Sequence, residues 1–254
     1  MSRQIEVRNL VIGDGIPKIC VPIVAKNRIE IKVALKEMKN QAFDMVEWRA
    51  DYFEEYNQPE KVEEVLGIIR DELGEMPILY TFRTRKEGGY RELSSIEEYI
   101  HMNTGVITSG LADLVDVETA MGDDVAFILI ETAHSNGVKV IASNHDFSGT
   151  PKKEEMLMRL CKMQELEADI VKLAVMPQCE RDVLNLMDAT LTMKELHDVT
   201  PVVTMAMGEM GLLSRVSGSL FGSAVTFGCI GEASAPGQIP AERLRGVLKA
   251  LQRS

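Results

Sequence analysis

The sequence predicts a (β/α)8 barrel, an α/β fold in which eight parallel strands form a closed cylinder inside a ring of helices. Eight apolar, β-branched runs recur roughly every 30 residues, with helical patterns between them. The chain has 254 residues, a usual size for such a barrel. The rival fold is a doubly wound open sheet, which usually carries a Gly-rich phosphate loop after its first strand. Ala25-Lys26-Asn27-Arg28 stands there instead, so the barrel is favoured.

Strands and helices are predicted to alternate after residue 17. Gly74 is placed to end an amphipathic helix, Ser95 to begin one with a capping box, and Thr150-Pro151 to begin another. Residues 244–251 have the spacing of a last amphipathic helix. The eight predicted strands are residues 18–25, 45–51, 78–83, 114–119, 138–145, 169–176, 201–207 and 224–230.

A small hairpin is predicted ahead of this repeat. Residues 5–13 alternate in short segments around Arg8-Asn9, and we assign residues 1–16 to this extension. No Pro/Gly/Ser-rich linker or change in composition divides the rest of the chain. We therefore expect residues 1–254 to form a single domain.

The charge and cysteine content restrict the classes of function. A formal net charge of -11 without a local run of Lys or Arg argues against nucleic acid as a partner. Any anionic substrate must be bound by a few placed arginines. The four cysteines show neither CxxC nor metal-type spacing, which predicts free thiols in a reducing compartment. No run of 18 or more apolar residues occurs, so we expect no membrane partner and a cytoplasmic location.

Lys172 lies inside an apolar run, residues 169–176, of the kind that forms a parallel strand buried on both faces. Burial disfavours the charged form of an amine and lowers its pKa from about 10.4, which makes lysines nucleophilic. Such an amine can form a Schiff base with a ketone or aldehyde. Two ordinary interpretations stay open from this run alone. The side chain can extend to water at the strand end, or a carboxylate can neutralise it in a structural ion pair.

Other ionisable side chains cluster where the predicted strands end, which is where barrel active sites form. Alternation along the second strand puts Glu47, Arg49 and Asp51 on the face opposite Trp48. Each charge alone has an ordinary explanation in a solvated strand end or a loop contact. A ring of buried charges is nevertheless costly unless its members pair with each other or with a ligand. The ring also includes Arg83, Glu87, Asp116 and Glu118.

Three further candidates follow the later strands. His145 ends the fifth strand, and an imidazole there can carry protons near neutral pH, or it can simply hydrogen-bond its loop. Arg215 is predicted to begin a helix after the seventh strand, where its planar guanidinium can bind a carboxylate. Residues 231–238 suit a mobile flap with Ser234 and Gln238 as its polar contacts, or an ordinary loop with no ligand.

Together these segments resemble the type I 3-dehydroquinate dehydratase family, the Schiff-base enzymes of the shikimate pathway in aromatic amino acid biosynthesis. The resemblance covers nearly the whole chain and rests on seven segments in the family's order, where one alone would be weak. They are Glu47-Trp48-Arg49, Thr81-Phe82-Arg83, Lys86-Glu87-Gly88-Gly89, Ser143-Asn144-His145-Asp146-Phe147, Lys172, Ser214-Arg215 and Ser234-Ala235-Pro236-Gly237-Gln238.

The resemblance implies a homodimeric barrel whose lower end is closed by the N-terminal hairpin. It implies dehydration of 3-dehydroquinate to 3-dehydroshikimate by syn elimination, a carbon–oxygen lyase reaction. Lys172 would form an imine with the C3 ketone, and His145 would remove a proton from C2 and return it to the C1 hydroxyl as water leaves. Glu87 would orient His145 and keep it basic. A protonated imine is an electron sink, so no metal or organic cofactor is implied.

The resemblance also implies the substrate-binding residues. Arg215 would bind the substrate carboxylate, with Ser234 and Gln238 closing over it. The resemblance leaves the roles of Asp116 and Glu118 open, and we keep them as candidate partners of the residues that contact the substrate. The ring hydroxyls and the ketone region would be held by Glu47, Arg49 and Arg83.

One departure and two rival functions remain. Several family members have a serine facing the substrate on the first strand, where this chain has Val21-Pro22. A polar contact from that strand is therefore doubtful. The enzymatic rival is a class I aldolase or transaldolase, which shares the barrel and the lysine but lacks the Ser143-Asn144-His145-Asp146 arrangement. The rival from another class is a catalytically inactive binding barrel, which predicts loss of some chemical residues, yet all are present.

Overall fold

The computed structural model describes residues 4–231 and 237–252. Its strands are β1 (Ile5–Val7), β2 (Leu10–Ile12), β3 (Lys18–Ile23), β4 (Met45–Arg49), β5 (Ile78–Thr81), β6 (Leu114–Glu118), β7 (Lys139–Asp146), β8 (Ile170–Val175), β9 (Val202–Ala206), β10 (Val225–Cys229) and β11 (Ile239–Pro240). Its α-helices are α1 (Arg28–Met38), α2 (Pro59–Leu73), α3 (Ile96–Ser109), α4 (Asp123–Ser135), α5 (Lys153–Glu165), α6 (Glu180–Leu196), α7 (Leu212–Val216), α8 (Gly218–Phe221) and α9 (Ala241–Ala250).

Strands β3 to β10 form the predicted barrel. They pair in parallel in the order β10, β3, β4, β5, β6, β7, β8, β9, and β11 adds to the free edge of β10. The cylinder closes between β9 and β10, where the described residues form a single isolated bridge, Val202 to Ser223. The Ala224 amide donates to the Val202 carbonyl at 2.8 Å and the Thr204 amide to the Ser223 hydroxyl at 3.1 Å. The predicted barrel is confirmed, but this seam was not foreseen.

Alternation along each strand divides the barrel into two cores. Outward side chains such as Trp48 and Tyr80 pack against the helices in one large apolar cluster. Inward side chains form a second apolar cluster, which fills the lower part of the lumen and continues upward through Met205, Met207 and Phe227. Its members include Met45, Leu79, Leu114, Ile141 and Ile170.

The hairpin of β1 and β2 closes this lower end, as the sequence resemblance implied. Val7 and Ile12 are almost completely buried in the inner apolar cluster. Arg8, in the turn, joins the hairpin to the barrel rim through ion pairs with Asp113 and with Glu75. These two hairpin side chains are therefore shielded from solvent at the lower end of the lumen.

Three alternate barrel strands begin with the same pattern of aspartate, apolar residue, valine and charged residue. The segments are Asp44-Met45-Val46-Glu47, Asp113-Leu114-Val115-Asp116 and Asp169-Ile170-Val171-Lys172. Each leading aspartate accepts a hydrogen bond from an amide at the start of the preceding strand, because its carboxylate sits beside that amide on the rim. These bonds come from Ile19 at 2.7 Å, Ile78 at 2.8 Å and Val140 at 2.9 Å. The shared start puts Glu47, Asp116 and Lys172 at one level inside the barrel.

The predicted helix ends are confirmed at two places and wrong at a third. Gly74 follows α2, and the Ser95 hydroxyl accepts from the Glu98 amide at the start of α3. Helix α5 begins at Lys153 rather than at Pro151. The Met176 amide donates to the carbonyls of residues 146 and 149, which holds the loop extended and delays the helix. No helix among residues 4–231 and 237–252 combines the length and apolar character needed to cross a lipid bilayer.

Candidate active site

A cavity of about 120 Å³ opens at the upper end of the lumen, where the strands end. Eight of the nine predicted site residues line it, and the ninth, Ser234, lies outside the described residues. The eight are Glu47, Arg49, Arg83, Glu87, His145, Lys172, Arg215 and Gln238. One cavity therefore joins residues from seven separate segments of the chain.

Lys172 points into the lumen from the middle of β8 and is 3% exposed. Its Nζ lies 3.3 Å from Asp116 Oδ2 and 4.6 Å from the centre of the Phe227 ring. The lysine thus has the carboxylate neighbour that one sequence interpretation expected, but the amine also lines the cavity. It does not extend to water, because the apolar wall and the neighbouring strands enclose it.

Arg83 joins the carboxylates at the upper end of the lumen. Its Nη2 lies 2.7 Å from Asp116 Oδ2, and its Nη1 lies 2.9 Å from Glu118 Oε1 and 3.5 Å from Glu87 Oε2. Burial would lower the pKa of Arg83, but these carboxylates raise it well above its usual value. Burial would likewise raise the pKa of Asp116, and the charges of Arg83 and Lys172 outweigh it, so that the pKa is lowered. Asp116 therefore stays an anion beside Arg83.

His145 and Glu87 form a hydrogen-bonded pair beside this network. His145 Nδ1 lies 2.8 Å from Glu87 Oε2, which also accepts from the His145 backbone amide at 3.0 Å. Burial, followed by the nearby charges of Arg83, Lys172 and Arg49, lowers the pKa of His145 well below 6.5. Burial raises the pKa of Glu87 to about 8, and the charge of Arg83 opposes that rise. The imidazole is therefore uncharged at neutral pH, as a base requires.

The registry of β7 and β8 brings the imidazole and the amine to one side of the cavity. Ser143 pairs with Lys172, and His145 pairs with Ala174, one inward position higher. The Ser143 hydroxyl donates to Asp116 Oδ1 at 2.6 Å. The fold therefore places the amine and the imidazole on adjacent strands, facing the same space.

Glu47 and Arg49 occupy the β4 side of the cavity. Glu47 Oε1 accepts from the Thr81 hydroxyl at 2.9 Å, and Arg49 forms two bonds of 2.8 Å with Asp51. Asp51 also accepts from the Tyr90 amide at 2.9 Å. Arg49 is thus held in place by the Asp51 carboxylate.

Arg215 lies in the last turn of the short helix α7, so the prediction that it begins a helix is wrong. Helical backbone already starts with a 3-10 turn, Glu209–Gly211, directly after Gly208. Burial lowers the pKa of Arg215 to about 10, whereas acidic neighbours raise the pKa of Arg49 despite its burial. An anion bound in the cavity would stabilise the buried Arg215 charge.

Gln238 reaches the cavity because the chain around it is anchored. It directly precedes β11, whose Ile239 pairs with Gly228 of β10. At Gly237, which has φ 77°, a Cβ atom would lie 2.2 Å from the Gly208 carbonyl oxygen. A side chain at position 237 would therefore push this loop away from the cavity.

The apolar wall of the cavity was not identified from the sequence. Met205, Met207, Phe227 and Phe147 line it together with the charged groups. Alternation along β9 and β10 could have indicated Met205, Met207 and Phe227, but apolar residues in a strand carry no sign of a cavity. The supporting role of Asp116 had a visible signal in the aspartate–valine pattern that it shares with Glu47 and Lys172.

Comparison with known proteins decides the family. The family model described as Type I 3-dehydroquinase matches residues 19–254. The chain belongs to the type I 3-dehydroquinase family. It is 48% identical over 254 residues to the 3-dehydroquinate dehydratase of Clostridioides difficile, covering 100% of this chain and 99% of that protein. It is 49% identical over 247 residues to the 3-dehydroquinate dehydratase of Syntrophotalea carbinolica, covering 97% of both.

Solved structures of the 3-dehydroquinase family agree with the fold. A crystal structure of the Clostridium difficile type I enzyme, with covalently modified comenic acid, superposes with a TM-score of 0.96. It is 48% identical, and the match covers 99% of this chain and 98% of that one. The family resemblance, the enzyme class of hydro-lyase and the barrel fold predicted from the sequence are thereby confirmed.

Proposed function

We propose that this chain dehydrates 3-dehydroquinate to 3-dehydroshikimate in the shikimate pathway through an imine on Lys172. The observation that carries the proposal is the pairing of β7 with β8, which directs His145 and Lys172 into one cavity beside Arg83. The names of the relatives and their coverage of this chain support the choice of substrate.

The first step is imine formation. The Lys172 nitrogen adds to the C3 ketone carbon, and the ketone oxygen leaves as water, which gives a protonated imine. The cation withdraws electrons from the adjacent C2–H bond. A neutral imidazole can then remove a proton that a free ketone would hold too strongly.

Elimination follows on the same face of the ring. His145 takes the C2 proton, and the resulting enamine expels the C1 hydroxyl, which leaves as water with the proton that His145 returns. Water then hydrolyses the product imine and restores the Lys172 amine. Glu87 holds the imidazole by its Nδ1 atom, so that Nε2 faces the substrate.

The remaining charges bind and orient the substrate. Arg215 pairs with the substrate carboxylate, and Gln238 and Ser234 close over it. Glu47 and Arg49 bind the ring hydroxyls. Arg83 holds the ketone region, and its ion pairs with Asp116 and Glu118 keep its guanidinium in place.

Trapping the imine tests the assignment. Borohydride added with 3-dehydroquinate should leave a reduced adduct on Lys172 that peptide mass spectrometry locates, and product should appear as enone absorbance. Lys172→Met should lose both, whereas Lys194→Met, at an exposed position of α6, should keep both. His145→Ala should still form the adduct but turn over about 10²- to 10⁴-fold more slowly.

Two outcomes would contradict the proposal. Turnover of a sugar phosphate without any enone product would favour an aldolase. Near-normal turnover by His145→Ala would remove the histidine from its acid–base role while leaving the lysine assignment intact.

We also propose that the chain is a single domain that acts as a cytoplasmic homodimer. The family resemblance supports the dimer, as do apolar side chains such as Phe127 and Met158, which are 55% and 64% exposed. Its free thiols suit a reducing compartment. Sedimentation equilibrium should give twice the chain mass, and thermal unfolding should show one transition.

A further inference from the structure

The Glu87–His145 pair is connected to the outside of the barrel by a chain of hydrogen bonds. Glu87 is 3% exposed, and both of its oxygens have partners on β7. Oε2 lies against the His145 amide and Nδ1, and Oε1 accepts from Asn144 Nδ2 at 3.0 Å. The Asn144 bond therefore fixes the carboxylate oxygen that His145 leaves unused.

Arg159 holds the other end of this asparagine. Its Nη1 donates to Asn144 Oδ1 at 2.9 Å and to Asp146 Oδ2 at 3.1 Å, and its Nη2 pairs with Glu155. A guanidinium only donates hydrogen bonds, so the carbonyl side of the Asn144 amide must face Arg159. The amide NH2 is then directed at Glu87. The reversed amide would place donor against donor at Arg159 and acceptor against acceptor at Glu87.

Arg159 is reached from outside the lumen. Its side chain is 27% exposed, in a groove between α5 and the 3-10 turn Thr119–Met121. The groove has a volume of about 410 Å³, and Asn144, Met158 and Lys162 also line it. The end of β7 therefore presents His145 to the cavity and Asn144 to this groove.

We propose that Arg159 and Asn144 are positioning residues for the dehydration, holding Glu87 and through it the imidazole of His145. The inference rests on the proposed function of the Glu87–His145 pair. Arg159 sets the orientation of the Asn144 amide, the amide sets the rotation of the Glu87 carboxylate, and the carboxylate keeps the proton on Nδ1. The lone pair of Nε2 is thereby kept for the substrate proton.

The charges around Glu87 explain why an additional donor matters. Arg83 faces the carboxylate from the end of β5, and Glu118 and Asp116 face it from β6. Arg83 and the Asn144 hydrogen bond favour the anion, whereas burial and the two acids disfavour it. Loss of the Asn144 donor would leave the carboxylate harder to ionise and held through Oε2 alone.

The variant that tests the proposal is Arg159→Met, which keeps an unbranched stem in the groove but removes the donors. We expect kcat to fall about tenfold with KM unchanged within about twofold, because substrate contacts stay in place. The borohydride adduct on Lys172 should still form. Arg159→Lys, which retains one donor for Asn144, should recover part of kcat.

Lys162→Met is the matched control. Lys162 lies one turn further along α5, lines the same groove and pairs with Asp123 at 2.9 Å on the surface. The change removes an equal charge from the groove without touching Asn144, so kcat should stay at the wild-type value. Thermal midpoints of both variants separate a loss of folding from a loss of positioning.

Histidine NMR gives a readout that activity does not determine. In protein labelled with ¹⁵N at its four histidines, His145→Gln identifies the His145 signals. Above pH 8, where Glu87 is anionic, wild-type protein should show the proton on Nδ1. Arg159→Met should shift the signals towards a mixture of tautomers, while Lys162→Met should leave them unchanged.

Unchanged kcat and unchanged His145 signals in Arg159→Met would overturn the proposal. Equal losses in Arg159→Met and Lys162→Met would also overturn it, since the effect would then follow groove charge. Failure of the proposed function itself is distinguishable, because wild-type protein would then form neither enone product nor adduct, whereas the NMR comparison would still report on Glu87 and His145.

Discussion

The lower and upper halves of the barrel lumen are built by the same strands, but their inward side chains differ in polarity. Below, the inward side chains are apolar and pack against Val7 and Ile12 of the hairpin. Above, two residues further along β4, β6 and β8, they are the buried charged residues Glu47, Asp116 and Lys172. Leu114 and Asp116, two residues apart on β6, show this change from an apolar to a charged side chain. The lower half gains stability from apolar burial, and the upper half must balance each charge with another.

The contrast teaches that buried charge is tolerable only above a well-packed floor. The aspartates at the strand starts fix where each strand begins, so the third residue after each reaches the same level. On these three strands the charged side chains therefore lie one inward position above the apolar ones. The following predictions test this division, beginning with the largest expected effect.

Lys172→Met places an apolar side chain at the inward position directly above the apolar lower half of the lumen. We expect turnover to fall by at least about 10⁴-fold, because the nucleophile is lost. The free energy of unfolding should change little, because Asp116 keeps its ion pair with Arg83 and its hydrogen bond from Ser143. Urea unfolding beside the dehydration assay checks both, and a large loss of stability would contradict the division.

Arg83→Met should lower both turnover and the free energy of unfolding. Removing the guanidinium leaves Asp116, Glu118 and Glu87 close together with less compensating charge. We expect a loss of about 3–5 kcal/mol in the free energy of unfolding. Arg85→Met, at an exposed position two residues further on, is the control and should change stability by less than about 0.5 kcal/mol.

Leu114→Ala should affect the lower half alone. Leu114 is fully buried in the inner apolar cluster, so the cavity should cost about 2–5 kcal/mol of stability. We expect kcat measured well below the unfolding temperature to remain within about twofold of wild type. A matching loss of kcat would show that packing of the floor reaches the charged level.

The pH dependence of activity should follow the Glu87–His145 pair. The base form needs an anionic Glu87, and burial raises the pKa of that carboxyl to about 8. We expect kcat/KM to fall about tenfold per pH unit below pH 8. Glu87→Gln should change this fall of kcat/KM at low pH. If the fall is the same in that variant, a group other than Glu87 causes it.

The same carboxyl should leave a signature in stability. Unfolded, Glu87 releases its proton near 4.5, whereas in the folded chain it keeps the proton up to about pH 8. Its contribution to stability is therefore present below pH 4.5 and is lost as the pH rises through 8. Glu87→Gln should become more stable relative to wild type over that range, as urea unfolding at several pH values will show.

Arg8→Ala should give the smallest effect. Its ion pairs with Asp113 and Glu75 lie at the surface and are screened by solvent, so we expect a loss of about 1 kcal/mol. Arg8 has φ 53°, which glycine adopts more easily than alanine. Arg8→Gly should therefore be more stable than Arg8→Ala, and the reverse order would contradict the strain at this turn.

Much of this architecture was predictable because it depends on local periodicity. The strand ends that carry Glu47, Arg49, Arg83, His145 and Lys172 were visible as alternation within single segments, and the barrel follows from their repetition. The partners of Arg83 were not visible, because its contacts with Asp116 and Glu118 join residues that only the strand pairing brings together.

Features that join distant segments escaped prediction for the same reason. The bridge from Val202 to Ser223 and the addition of β11 depend on how the last strand meets the others. The link from Arg159 to Asn144 depends on where α5 begins, which the sequence placed two residues too early. Local sequence indicates what an element is, whereas side-chain contacts across elements need its exact position.

Strands β9 and β10 are joined over a short contact, so the barrel should open between these two strands more easily than elsewhere. Amide exchange should be slowest around β6 to β8 and fastest along this contact, where a hydroxyl replaces part of the ladder. The loop carrying Gln238 is fastened to β10 on that side, so small separations there would widen the entrance without disturbing the wall that carries the amine and the imidazole.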